Sequence, residues 1–267
     1  MEQNSKMANV SQRLAHAPLV YAICELRFPT ILKMEGFIPD IQERLRKQYE
    51  LFNKEELRGI QIMPSGPTLT QTEIRWRFDR RDKRCGYIVT QDRLVFHTTA
   101  YEHFELFLQE VTNGMEHVSA VASINLVQRM GLRYVDYIVP APGRSLNEYV
   151  RDSLLGFEPA LDGLKAGQST QFHRFKTSNG RLQLRLARGK HKTVLPNDLM
   201  PMGLKVGREP VLDRDSLILD TDHFVEGQES RVDQPEIEGH LRALKEPIAR
   251  IFRDAVTDFA RAEWSKA

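Results

Sequence analysis

Apolar side chains recur along the chain at two periods, two residues in some stretches and three to four in others. Residues 19–28 put Val20, Ala22, Cys24, Leu26 and Phe28 on one side and Tyr21, Ile23, Glu25 and Arg27 on the other, with Pro29 closing the run. That is the period of a strand. Phe37, Ile41, Leu45 and Phe52 predict a helix over 37–52, with Pro39 suited to its first turn. Gly59 and the cluster Pro64, Ser65, Gly66 and Pro67 predict loops. Ile74, Trp76 and Phe78 alternate with Arg75, Arg77 and Asp79, a half-buried strand with a basic outer face. Residues 86–89 and 93–98 form a hairpin pattern around Gln91 and Asp92, and Tyr101, Phe104, Leu108 and Val111 begin a helix over 101–118.

A second cycle follows. Residues 124–139 predict a long strand with Met130, Leu132, Tyr134 and Ile138 on one side, ended by Pro140, Pro142 and Gly143. Residues 146–155 predict a short helix. Strands over 171–175 and 181–188 flank Ser178-Asn179-Gly180, where Asn-Gly supplies two residues tolerant of positive φ. Leu182, Leu184 and Leu186 face inward there. Residues 189–214 are irregular and 217–225 a strand. Asp233, with Glu236 three residues on, caps a final helix. Its stripe of Ile237, Leu241, Leu244, Ile248, Ile251, Ala255 and Phe259 contains Pro247, which predicts a kink or a division in two.

The pattern predicts an α+β protein of two structurally similar halves, 18–120 and 121–262, each an antiparallel sheet curled against a helix, with a long C-terminal helix. The halves are read as a duplication that can share one continuous sheet. Residues 1–17 and 263–267 are read as tails.

Composition narrows the setting. The 267 residues are 41% hydrophobic and 28% charged, which is globular rather than disordered. The net charge of +2 points to no partner class, but its distribution is uneven: residues 165–192 hold eight Lys or Arg and no acid, whereas acidic residues predominate over basic ones in 209–238. Cys24 and Cys85 are read as two buried thiols, since two cysteines make no disulfide scaffold. No stretch nears the ~18 apolar residues of a membrane span, and the polar N-terminus lacks the apolar run of a secretory signal. Both predict a cytoplasmic protein.

No glycine-rich phosphate loop, metalloprotease motif or nucleophile elbow occurs, so no catalytic residue, metal or cofactor is assigned. Asp213 with Asp215, and Asp220 with Asp222 and His223, offer too few oxygen ligands for a cation, and His97, His103 and His117 lack ligand spacing. Trp76, Phe78, Tyr87, Phe96 and Tyr134 are candidates for lining an apolar pocket, with core the default. The basic residues Arg174, Arg181, Arg185, Arg188 and Lys190 lie on one hairpin, and Arg75 and Arg77 on a strand of the first half. Together they are candidates for a phosphate-tracking face with Phe172 or Phe175 as a stacking platform. The near-zero net charge favours instead a face paired with the acidic strand.

The run Gln128-Arg129-Met130-Gly131-Leu132-Arg133-Tyr134-Val135-Asp136-Tyr137-Ile138 resembles the signature R-x-G-L-R-Y-x-N-x-I of a sporadically distributed bacterial family of about this length, with Asp136 where the family more often has Asn. The N-terminal strand at 17–28 and the final helix are also similar. The patchy distribution implies a mobile-element, antiviral-defence or toxin–antidote setting. Arg129 and Arg133 share a strand face about Gly131, so Arg129, Gly131, Arg133, Tyr134 and Asp136 are candidates for an anion clamp, or for carboxylate pairs that lock the halves together.

The expected function is a non-enzymatic sensor or binding component of such a module, acting through a protein partner encoded nearby or a bound ligand. The alternatives are a nucleic-acid-binding accessory protein and an enzyme with a dispersed site. A homodimer is left open.

Overall fold

The computed structural model describes residues 14–63, 66–157, 164, 167–199 and 203–266. Most of the expected N-terminal tail, and Pro64 and Ser65 of the expected loop, lie outside them, as do the side chains of 58–72. Gly66 and Pro67 of that loop belong to a strand instead.

Among the described residues nine strands form one antiparallel sheet: β1 (Leu19–Arg27), β2 (Leu51–Met63), β3 (Gly66–Asp79), β4 (Cys85–Val89), β5 (Arg93–Thr98), β6 (Leu126–Ile138), β7 (Ser169–Thr177), β8 (Gly180–Gly189) and β9 (Ser216–Arg231). Their order is β2-β3-β4-β5-β1-β6-β9-β8-β7. From the central pair outward, one side runs β1, β5, β4, β3, β2 and the other β6, β9, β8, β7. The chain is therefore α+β with a single sheet, whose middle is the antiparallel pairing of β1 with β6.

One face of the sheet carries the helices α1 (Met34–Leu45), α2 (Phe104–Ala122) and α3 (Gln234–Ala255). Ala22, Cys24 and Leu26 of β1, Met130, Leu132, Tyr134 and Ile138 of β6, and Leu182, Leu184 and Leu186 of β8 all enter the core beneath them. Each such aliphatic side chain contributes about 1.5–3 kcal/mol when fully buried. Trp76, Phe78, Phe96 and Tyr134 are core as well, and Tyr87 is core with an edge lining a small cavity between α1 and α2. Both cysteines are buried as free thiols.

The helix termini follow from side-chain caps. Asp233 accepts the Glu236 amide at 2.8 Å and His103 accepts that of Leu106 at 3.3 Å. Helix α3 runs through Pro247 without dividing; the break comes at Val256, which bridges to Val150, and Thr257 then caps α4 (Asp258–Trp264) by accepting the Ala260 amide at 3.1 Å. The apolar stripe of α3 holds the helix across the lost amide of the proline. Helix α4 absorbs part of the expected C-terminal tail, and the His16 amide donates to the Trp264 carbonyl at 2.9 Å, fixing the described end of the N-terminal one.

Other expectations change in detail. The helix over 37–52 is shorter, because Phe52 belongs to β2 and pairs in register with Phe78. Gly59 lies inside β2 where the register with β3 shifts, rather than in a loop. A similar irregularity between Leu19 and Tyr21 turns Val20 away from Ala22 and Cys24. The segment 146–155 forms two single 3-10 turns. At the β7–β8 turn only Gly180 takes positive φ, at 144°, and a side chain there would strike the Phe224 carbonyl.

The opposite face is covered only in part. The long connection from β8 to β9 folds onto it, and Val194, Leu195 and Leu204 pack on Val20, Tyr21, Val135, Tyr137 and Ile218 as a second apolar cluster. Beside that cover the sheet face is open among the described residues.

Candidate functional site

The open face carries a groove of about 270 Å³. Alternation puts Ile23, Ile88 and Val95 on its floor, and the strand β6 contributes Gly131 between Arg129 and Arg133. Arg27, Arg75 and Arg93 complete the basic lining; Glu25, Asp198 and Asp222 are the acids, and Leu199 of the long connection forms a wall.

At one end three arginines stand side by side. Arg27 of β1 is in register with Arg93 of β5 on one side and with Arg129 of β6 on the other. All three share one carboxylate. Glu25 accepts from Arg27 Nε at 2.8 Å and from Arg129 Nη1, and lies 3.7 Å from Arg93 Nη1. Arg93 also meets Asp92 at 3.0 Å and Glu73 at 3.3 Å. The Arg129 guanidinium lies over the Phe224 ring, 4.4 Å from its centroid. Gly131 allows this: a Cβ there would come within 3.1 Å of Arg129 Nη1 and 3.3 Å of Phe224 Cβ.

Further along the groove Arg133 is held by two carboxylates. It donates to Asp220 at 2.8 Å from Nε and 2.7 Å from Nη2, and to Asp198 at 2.7 Å from Nη1 and 3.2 Å from Nη2. Asp222 faces Arg133 in register and its carboxylate makes no ion pair or hydrogen bond among the described residues. Burial pushes its carboxyl up to about 6, against the pull of Arg129 and Arg133.

Next to the groove, under the long connection, lies a buried polar cluster. The Tyr21 hydroxyl and His97 Nδ1 are 2.6 Å apart, and Arg77 is paired with Glu55 and Asp79. Gly203 sits on the Arg77 guanidinium, where any side chain would overlap it. Burial, helped by Arg77, holds His97 down to about 3 and hence neutral. His97 Nε2, Arg77 Nε and Asp79 Oδ1 have no hydrogen-bond partner among the described residues.

The sequence candidates are thus divided between the two faces. Arg129, Gly131 and Arg133 meet in the groove. Tyr134 and Asp136 point to the helices, where Lys245 of α3 lies 4.6 Å from the centroid of the Tyr134 ring. Burial raises Asp136 to about 7 and lowers Lys245 to about 8, each opposed by the charge of the other. Arg75 lines the groove and meets Glu73 at 2.7 Å, whereas Arg77 is buried. Arg174 lies over Phe172, 4.7 Å from the ring centroid. Arg181 meets Glu226 at 3.1 Å, and Arg185 meets Asp198 at 3.2 Å and Asp220 at 3.8 Å. Arg188 donates to the Leu155 carbonyl at 3.2 Å and lies 3.5 Å from Asp215; Lys190 is exposed.

His223 faces away from Asp220 and Asp222, holding the Leu244 carbonyl at 2.8 Å and the Thr177 hydroxyl at 2.9 Å. Among the described residues no group of three His, Cys, Asp or Glu is placed to hold a metal.

Glu25, Arg27, Arg93 and Asp198 join the site without having been sequence candidates. The outward positions of Glu25 and Arg27 are visible in the alternation of β1; their meeting with β5 and β6 is a matter of register. A second cavity, of about 210 Å³, opens between α1 and α2 near Tyr49, Glu110 and His117. Glu110 is already engaged there by the Tyr49 hydroxyl at 2.6 Å and by Arg80. No helix among the described residues is long and apolar enough to cross a membrane. Neither a protein-family model nor a curated protein matches the chain.

Proposed function

We propose that this protein is a binding component whose site is the groove on the open sheet face, and that its ligand bears an anionic oxygen group. The observation that carries this is the ladder Arg93–Arg27–Arg129 sharing Glu25. Like charges directly opposed across strands destabilise a sheet, by about 0.2–1 kcal/mol for such pairs. Glu25 cannot occupy the donors of three guanidiniums, each of which carries five, and among the described residues Asp92 and Glu73 relieve Arg93 alone of the three. Arg129 commits only Nη1, and Arg27 only Nε and Nη2, to described side-chain acceptors. A ligand carboxylate or phosphate would take up the rest above an apolar floor.

The same proposal takes the two halves as copies of one unit. In each, the first strand is central, the last lies beside it and the others follow outward in reverse order. The groove then lies across the seam between the copies. The setting, on the family resemblance, is a bacterial defence module in which occupancy is relayed to a protein partner. Phosphate tracking by the β8 hairpin is less well supported, since Arg181 and Arg185 are engaged by Glu226, Asp198 and Asp220.

The test is calorimetric titration with small carboxylates and with inorganic phosphate at low ionic strength. Saturable binding is expected in the wild type and in Arg181→Gln, and its loss in Arg27→Gln/Arg129→Gln. Binding that survives in the double variant, or none in the wild type, rejects the proposal.

A further inference from the structure

The groove holds the arginine ladder with Glu25 at one end and Arg133 with Asp198 and Asp222 at the other. The shared carboxylate of the arginine ladder, Glu25, lies opposite Gly131, which in turn lies opposite Phe224. The Arg129 guanidinium reaches across to that ring. Asp222 is two residues from Phe224 on β9 and on the same face of the sheet. A guanidinium with spare donors and a carboxylate without a partner among the described residues are therefore neighbours along one wall.

The carboxylates lining this groove differ in one respect. Glu25 is engaged by the ladder, and Asp198 by Arg133 and Arg185. Arg133, the cation nearest to Asp222 in register, is turned to Asp220 and Asp198 instead. Asp222 is half-buried and faces the cavity. A half-buried carboxylate without a cation or donor is a liability to the free protein, and its burial raises its pKa to about 6. A ligand that brings a cation or N–H donor removes that liability.

We infer that the ligand is a small zwitterion, its carboxylate held by Arg129 at the near end of the arginine ladder and its ammonium group by Asp222. This rests on the groove being the ligand site. Side chains two residues apart on one strand face are separated by about 6–7 Å. The two charged groups of the ligand therefore stand several bonds apart, as in an ω-amino acid, rather than on one carbon.

A matched pair of probes separates this inference from the proposal beneath it. 4-Aminobutyrate and pentanoate have the same chain and carboxylate; the first ends in ammonium, the second in methyl. Both are titrated into the full chain at pH 7.5, with wild type and Asp222→Asn. The wild type is expected to bind 4-aminobutyrate at least about tenfold more tightly, the worth of one charge-assisted hydrogen bond. Asp222→Asn, which keeps the shape of the side chain, is expected to bring that ratio close to one by weakening 4-aminobutyrate.

Equal binding of the two probes by the wild type overturns the inference, and so does a preference that persists in Asp222→Asn. In both cases pentanoate binding shows that the groove still takes anions. If neither probe binds, the anion site itself fails and the inference falls with it.

Discussion

Arg133 and Asp220 close a two-pronged ion pair across the β6–β9 boundary, 2.8 Å from Nε and 2.7 Å from Nη2, with Asp220 only 2% exposed. Asp198 completes the clasp from the long connection, so one guanidinium ties two strands and the cover of the open face together.

Removal of Arg133 leaves Asp220, among the described residues, with Arg185 at 3.8 Å as its cation. Arg133→Met is expected to lose about 3–5 kcal/mol in urea unfolding, because a buried carboxylate loses its counter-charge. Asp220→Leu added to it should recover much of the loss. Arg133→Lys should fall between, since an ammonium cannot form the fork. A loss under about 1 kcal/mol for Arg133→Met would assign the pair no structural weight.

Gly131→Ala places a methyl group 3.1 Å from Arg129 Nη1 and 3.3 Å from Phe224 Cβ. The guanidinium and the ring must give by a few tenths of an ångström, at an expected cost of about 1 kcal/mol. Anion titration of the variant should show weakened binding even where the protein remains folded. Unchanged stability and affinity would mean that the glycine is incidental.

His97 gives the fold an acid-sensitive element. Its neighbours are the Tyr21 hydroxyl and the guanidinium of Arg77, itself paired with Asp79. Held down to about 3 when folded, it stays neutral while the unfolded chain takes up a proton below its ordinary 6.5. Its contribution is complete above pH 6.5 and is lost as pH falls toward 3, at about 1.4 kcal/mol per pH unit. His97→Asn titrates nowhere in this range, so the difference between the wild-type and variant stability curves should have that slope. Parallel curves would show that His97 is protonated in the folded state.

Asp136 acts in the opposite sense. Raised to about 7 by burial, it keeps a proton when folded that the unfolded chain releases above 3.8. Its contribution is complete below pH 3.8 and is lost as pH rises through 7. Asp136→Asn should therefore gain on the wild type as pH increases across this window, in denaturation curves taken on either side of neutrality. A variant that loses ground instead would show that the Lys245 charge outweighs the burial.

Several elements are legible in the sequence alone. The alternations of β1, β6 and β8 identify which side chains enter the core, because a half-buried antiparallel strand writes its two environments into alternate residues. The apolar stripes of α2 and α3 are equally plain. β2 is not, since its charged run Lys54-Glu55-Glu56 and Gly59 hide the period and its order comes from pairing with β3. Pro247 misleads in the other direction: local rules break a helix at proline, whereas the buried Leu244 and Ile248 hold this one intact.

The chain by itself determined the faces: period and side-chain polarity are local, and they sent Arg27, Arg129 and Arg133 outward and Leu26, Met130 and Leu132 inward. Only the tertiary structure decided which outward residues meet. Glu25 and Arg129 are 104 residues apart and Arg133 and Asp220 are 87 apart. Such meetings depend on the register of distant strands, on a single irregularity near Val20 and on where the long connection comes to rest. No local period encodes these, because each is set by the packing of the whole sheet.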